Sequence, residues 1–252
     1  MTAETKHRWQ RIGALSSSLI ALSALTACTA EPAQMPASPT PTLSVPVTAF
    51  GEPEVVADGL DAPWSIAFHG DTPLLSERDT ARILELRIDG STREIATIAG
   101  VDSIGEGGLL GIAVHSGYLY SYFTGSGGNR IERYQLTGDP GALVLGPAET
   151  VLAGIPSASY HNGGRIAFGP EGMLYATVGD AGNRDNAQNL NLPSRKILRM
   201  TPGGAVPEDN PFPGSLVYSY GHRNPQGIAW AEDGTLYASE SGQNTRDELN
   251  VI

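Results

Sequence analysis

A short apolar phrase occurs four times in this chain and constrains the fold more than any other feature. Ile66-Ala67-Phe68, Ile112-Ala113-Val114, Ile166-Ala167-Phe168 and Ile228-Ala229-Trp230 open units that recur about fifty residues apart. A turn segment follows each phrase: His69-Gly70-Asp71, His115-Ser116-Gly117, Gly169-Pro170-Glu171-Gly172 and Glu232-Asp233-Gly234. A second apolar pair comes next: Leu74-Leu75, Leu119-Tyr120, Leu174-Tyr175 and Leu236-Tyr237. Two short apolar runs around a Gly/Asp turn form a β-hairpin. A repeat of short strands with no helical period specifies an all-β protein, and among all-β folds a β-propeller. A β-sandwich is the alternative, but it has no need of a fixed internal repeat.

A third run follows each hairpin: Arg82 to Ile88, Arg130 to Leu136, Lys196 to Met200 and Glu248 to Ile252. Charged and apolar residues alternate in these runs, which predicts a strand near the outer edge of a blade with one face wet. The inner phrase is apolar throughout, which predicts burial on both faces. The fourth unit ends at Ile252 with no outer strand after it, and a propeller closes its ring by pairing the last blade with the first. The expectation is therefore about four blades, belonging to a longer protein; a small four-bladed ring is the alternative.

The N-terminus has a different composition. Lys6, Arg8 and Arg11 precede an apolar stretch from Ile12 to Leu25, which ends in Leu25-Thr26-Ala27-Cys28. This order of charge, apolar run and small residues is that of an export signal, and the run is too short and serine-rich for a good spanning helix. Its ending resembles the lipobox of bacterial lipoproteins, in which the cysteine is lipidated and becomes the mature N-terminus. Cys28 is the one cysteine of the chain. Pro32, Pro36, Pro39, Pro41 and Pro46 follow among Ala, Ser and Thr, a composition that makes an extended tether. The expected organisation is a lipoprotein signal at 1–27, an anchor cysteine and tether at 28–50, and a partial propeller at 51–252. The expected location is outside the cytoplasm, lipid-anchored to the bacterial cell membrane.

The chain carries a formal net charge of −11, and loss of the signal removes three basic side chains but only Glu4 among the acidic ones. So acidic a surface argues against nucleic acid and against electrostatic docking on anionic lipid, leaving the lipid anchor as the membrane contact. It suits a domain that binds a cation.

Propellers bind ligands at one end of the central channel, where the loops before the inner strands converge. Those loops here are Asp61 to Trp64, Gly105 to Gly111, Tyr160 to Arg165 and Gly221 to Gly227. Three of them combine glycine with polar side chains, bringing Glu106, His161, Arg223 and Asn224 towards one mouth. His161 starts an inner strand, and Asp180 ends the strand that returns, so a hairpin carries both to the same end of a blade. A carboxylate beside an imidazole fixes its tautomer and stabilises its protonated form, as a general base requires. A turn histidine capping a strand is the plainer alternative. His69, His115 and His222 lie in separate loops without metal-ligand spacing. Gly125-Ser126-Gly127-Gly128 precedes a strand rather than a helix and reads as a turn, not a phosphate cradle. Trp64 and Trp230 read as packing between blades.

Four segments carry a family resemblance: GEGGLLGIAVH (105–115), HNGGRIAFGPEGMLYATVGDAGN (161–183), YGHRNPQGIAW (220–230) and ESGQNTRDELNVI (240–252). They resemble the soluble PQQ-dependent aldose sugar dehydrogenases of the glucose/sorbosone dehydrogenase type, in the same order, from about residue 52 onwards. The resemblance implies a six-bladed propeller with pyrroloquinoline quinone (PQQ) and Ca²⁺ on its axis. It implies an oxidoreductase that converts the C1 hydroxyl of aldose sugars to a lactone and passes electrons to an external acceptor. It further implies His161 as general base, Asp180 as its partner, and Arg223 and Asn224 against the quinone. Glu106 falls beside the cofactor, Gly242 and Gln243 where two backbone carbonyls hold Ca²⁺, and Asp247 near metal and cofactor.

The sequence departs from the family pattern at Tyr160, where the glucose enzyme has an acidic sugar-binding residue; this argues against glucose as the preferred substrate. Gln243 replaces a common proline. The family's basic cofactor clamp and aromatic sugar platform come from later blades, so this chain is expected to bind the cofactor weakly or not at all. Two other readings of the fold are a Ca²⁺-dependent lactonase, which needs several carboxylates around an axial metal, and a non-catalytic binding module.

Overall fold

The computed structural model describes residues 51–252; the export signal, Cys28 and the tether lie outside the described residues. Among the described residues no helix is long and apolar enough to cross a membrane. The chain forms a β-propeller arc of four blades. The first blade comprises β1 (Pro63–His69), β2 (Thr72–Glu77), β3 (Arg82–Leu86) and β4 (Thr92–Thr97). The second comprises β5 (Leu109–His115), β6 (Tyr118–Gly125), β7 (Gly128–Thr137) and β8 (Val144–Ile155). The third comprises β9 (Ile166–Phe168), β10 (Leu174–Val178), β11 (Lys196–Met200) and β12 (Val217–Tyr220). The fourth comprises β13 (Pro225–Trp230), β14 (Leu236–Glu240) and β15 (Glu248–Val251). Within each blade, consecutive strands pair antiparallel in chain order.

The repeated phrases form the hairpins that the sequence predicts. Ala113 pairs with Tyr120, Ala167 with Tyr175 and Ala229 with Tyr237. The segment from Gly125 to Gly128 is a hairpin turn, with Gly125 opposite Gly128.

Three apolar clusters fill the seams between neighbouring blades, and alternate residues of a strand enter opposite seams as the two-residue period requires. Leu109 and Leu119 face the first blade, whereas Leu110 and Tyr120 face the third. Leu174 and Ala176 face the second blade, whereas Tyr175 faces the fourth. Trp230 meets the Tyr175 ring edge-on at 5.0 Å across the last seam, the packing role expected of it.

Two expectations need correction. The inner strands are not uniformly buried on both faces. In blades two to four, the isoleucine of the phrase packs towards the preceding blade. In the first blade, with no blade before it among the described residues, Ile66 and Phe68 are 61% and 60% exposed. Nor are the third strands of the first three blades wet edges, although β15 of the fourth is one. A fourth strand covers β3, β7 and β11, and β11 is buried along its whole length, Lys196 and Arg199 included. The alternating charges are paired internally: Glu85 of β3 is 1% exposed and takes Arg93 of its partner β4 at 2.6 Å.

Candidate active site

The loops before the inner strands meet at one end of the axis. They enclose a cleft of about 300 Å³ whose lining includes Trp64, Arg78, Glu106, Gly163, Asn224 and Ser241, residues from all four blades. Glu106 is its one carboxylate, and it is engaged: its Oε2 accepts the backbone N–H of His161 at 2.8 Å. Trp64, read from the sequence as packing alone, also forms part of this wall.

His161 has φ +57°, a left-handed conformation that costs a non-glycine residue about 1 kcal/mol. Its neighbours hold it there. Glu106 takes its N–H, and its C=O accepts Ala181 N–H at 3.1 Å. Asn162, 2% exposed, ties the loop to the second blade, with its C=O accepting the Tyr122 hydroxyl at 2.9 Å. Gly163, at φ +66°, has no room for a Cβ beside the Thr177 carbonyl. Gly179 likewise has none beside the carbonyl of His161.

The side chain of His161 forms the predicted pair. Nδ1 lies 2.8 Å from Oδ1 of Asp180, which is 2% exposed. Gly182 N–H donates to the same oxygen at 2.8 Å, and Arg195 approaches Oδ2 at 3.5 Å. A carboxylate only accepts, so Nδ1 carries the proton and Nε2 offers its lone pair. Tyr160 meets the imidazole edge-on at 4.7 Å.

Arg223 and Asn224 lie at the same end. Arg223 C=O accepts the N–H of Asp180 at 2.9 Å, which places the two predicted residues back to back. The Arg223 guanidinium donates to the Ser241 carbonyl at 2.8 Å. Asn224, 3% exposed, accepts Gly163 N–H on Oδ1 at 3.0 Å. Thus His161, Asp180, Glu106, Arg223 and Asn224 form one bonded group. Gly242, Gln243 and Asp247 lie on the loop between β14 and β15, where Asp247 Oδ1 accepts Gly242 N–H at 3.1 Å. Two backbone carbonyls and a carboxylate make an all-oxygen set, the chemistry a hard cation such as Ca²⁺ takes. The cleft offers a planar cofactor the backbone of Gly163 and the indole of Trp64, whereas its one arginine, Arg78, is already paired with Asp79 at 2.7 Å.

Two features escaped the sequence reading. Arg165 lays its guanidinium over Trp64 at 4.3 Å and donates to Ser65 Oγ at 3.0 Å and the Gln226 carbonyl at 3.1 Å. It forms no ion pair among the described residues, and burial lowers its pKa. His222 is not an incidental loop residue: it is 6% exposed, and its Nδ1 lies 2.8 Å from Glu240 Oε2. The signal was available, because His222 and Glu240 stand 18 residues apart across a hairpin, and His161 and Asp180 stand 19 apart across the preceding one.

Fold and site define a β-propeller with its polar side chains gathered at one axial mouth around a carboxylate-backed imidazole. A sequence profile for "Glucose / Sorbosone dehydrogenase" matches residues 60–252, and the chain belongs to that family. Quinoprotein glucose dehydrogenase B of Acinetobacter calcoaceticus is 31% identical to it over 290 residues, spanning 98% of this chain and 58% of that protein. Aldose sugar dehydrogenase YliI of Escherichia coli is 31% identical, over 79% of this chain and 58% of that protein. The PQQ-bound aldose sugar dehydrogenase of Streptomyces coelicolor superposes with a TM-score of 0.75 at 47% identity, covering 79% of this chain and 62% of that one. The chain thus spans about three fifths of the length of these relatives.

Proposed function

We propose that this domain is the catalytic part of an aldose-oxidising quinoprotein in which His161 is the general base. The observation that carries this reading is the 2.8 Å contact between His161 Nδ1 and buried Asp180 at the mouth shared with Arg223 and Asn224. When bound, PQQ supplies the hydride acceptor and Ca²⁺ a Lewis acid beside it. Gly242 and Gln243 would offer the cation their carbonyls and Asp247 its carboxylate. Arg223, Asn224 and Glu106 would hold the cofactor. His161 Nε2 takes the proton of the sugar C1 hydroxyl, and Asp180 stabilises the imidazolium that results, so the aldose leaves as a lactone. Proton removal of this kind accelerates a reaction about 10²–10⁴-fold. Tyr160 gives the sugar an aromatic edge where the resemblance expects an acid, which favours aldoses other than glucose. Electrons pass on to an external acceptor. Residues 1–27 direct export, and lipidated Cys28 anchors the mature chain to the membrane.

The test is dye-linked aldose oxidation at saturating PQQ and Ca²⁺, with cofactor affinity measured in parallel. The 252-residue chain is expected to bind PQQ more weakly than its longer relatives. His161→Gln removes the base, and Asp180→Asn turns the imidazole so that Nε2 becomes a donor. Each is expected to lower turnover about 100-fold or more while leaving PQQ affinity within a few-fold. Unchanged turnover in His161→Gln would remove the base assignment.

A further inference from the structure

We propose that Glu240 and His222 are a buried positioning pair that sets Arg223 and Asn224 at the axial cleft. The proposal rests on the reading above, in which those two residues contact the cofactor, and it deepens that reading by naming what holds them.

The need for such a pair begins with Pro225. Strands β13 and β14 pair with Pro225 opposite Glu240, and the register shifts between Pro225 and Gly227. Proline has no N–H, so the backbone ladder loses a donor at the edge of the loop. The Glu240 side chain adds a bond there. Its Oε1 accepts the backbone N–H of Arg223, one residue beyond the loop's Asn224. Ser241, the next residue, donates its N–H to the Asn224 carbonyl at 3.2 Å and accepts the Arg223 guanidinium at 2.8 Å. The strand end thus grips both residues at backbone and side chain.

Glu240 is itself fixed by His222. Nδ1 of the imidazole lies 2.8 Å from Oε2, and Nε2 lies 2.9 Å from Ser219 Oγ. Glu240 and His222 are 7% and 6% exposed. A carboxylate so buried is retained only where donors compensate its lost hydration. Burial alone would raise its pKa, but hydrogen bonds from His222 and the Arg223 and Asn224 backbone outweigh that and hold it below the ordinary glutamate value. The connectivity Ser219–His222–Glu240 matches that of a hydrolase triad. Here the imidazole is shut away from solvent and Ser219 is half-buried on edge strand β12, paired with Ile197, so the arrangement orients a loop rather than presenting a nucleophile.

The experiment compares Glu240→Ala and Glu240→Gln with the wild-type chain by amide hydrogen exchange, ¹⁵N-histidine NMR and calorimetric titration with PQQ in Ca²⁺. In Glu240→Ala, the Arg223 amide is expected to exchange at least tenfold faster, with Ile112 and Tyr122 in the core unchanged, and PQQ affinity to fall at least tenfold. Glu240→Gln keeps an acceptor for Arg223 but turns its NH₂ towards His222. Its affinity is expected within threefold of wild type, with the His222 proton moved from Nδ1 to Nε2. Unchanged Arg223 exchange, or faster exchange spread evenly over the core, overturns the proposal, as does local loosening with unaltered PQQ affinity. Should Glu240→Ala not fold, the proton shift and retained affinity of Glu240→Gln decide, and failure of either counts against it. If the wild-type chain binds no PQQ, the cofactor reading fails for the 252-residue chain alone, and exchange at Arg223 still decides whether the pair holds the loop.

Discussion

In three blades a carboxylate stands at or just past the end of the second strand, and each faces the loop before its own inner strand. Glu77 accepts Asp61 N–H at 2.9 Å, Asp180 binds His161, and Glu240 takes Arg223 N–H. Glu77 and Glu240, each opposite a proline, secure a loop in the first and fourth blades, and Asp180, two residues further along its blade, supports a base in the third. Glu77 is fully buried and also takes Thr80 Oγ at 2.6 Å and Arg82 Nε at 2.7 Å. Burial would raise its pKa; these bonds overcome that and hold it below the ordinary glutamate value. A depressed carboxylate binds fewer protons folded than unfolded, so its contribution is present above the unfolded value and fades as pH falls through the folded one. Thermal midpoints measured from pH 6 to 3 are expected to fall for the wild type, and to fall less steeply for Glu77→Gln.

At the level of strands and loops, the hairpins were legible because Ile-Ala-Phe and its variants state their period openly. His161 and Asp180 were legible for the same reason, being tied to the two ends of one hairpin. The third strands were not. Alternating charge looks the same whether water or a partner strand lies beyond it, and the Arg93 that meets Glu85 comes from a strand whose own sequence, Thr92–Thr97, has little apolar content. Lys196 was hidden in the same way. It is fully buried, and its Nζ donates to the carbonyls of Asn186, Ala187 and Ser194 at 3.1, 3.1 and 2.8 Å. Burial lowers its pKa to about 8, so at neutral pH it remains a cation with each N–H matched to an oxygen. It fastens the segment from Arg184 to Arg195, whose last residue reaches Asp180. Lys196→Met strands one buried and two half-buried carbonyls and is expected to cost about 3 kcal/mol in urea unfolding, and to open the 184–194 loop to proteolysis.

For the whole molecule, the proposed function divides labour between a short N-terminal address and an acidic domain. If Cys28 is the sole attachment, Cys28→Ser should abolish incorporation of labelled palmitate and move the protein from the membrane fraction to the soluble one, with the fold of residues 51–252 unchanged by circular dichroism. Within that domain, the seams between neighbouring blades can form one at a time as each hairpin emerges. Arg165 is different. Standing on the third blade, it reaches Ser65 of the first, 100 residues away in sequence, and Gln226 of the fourth, 61 away. The bond to Gln226 must wait until the fourth hairpin has docked. The curvature of these four blades is thus locked late, from the inside, by a single unbranched stem.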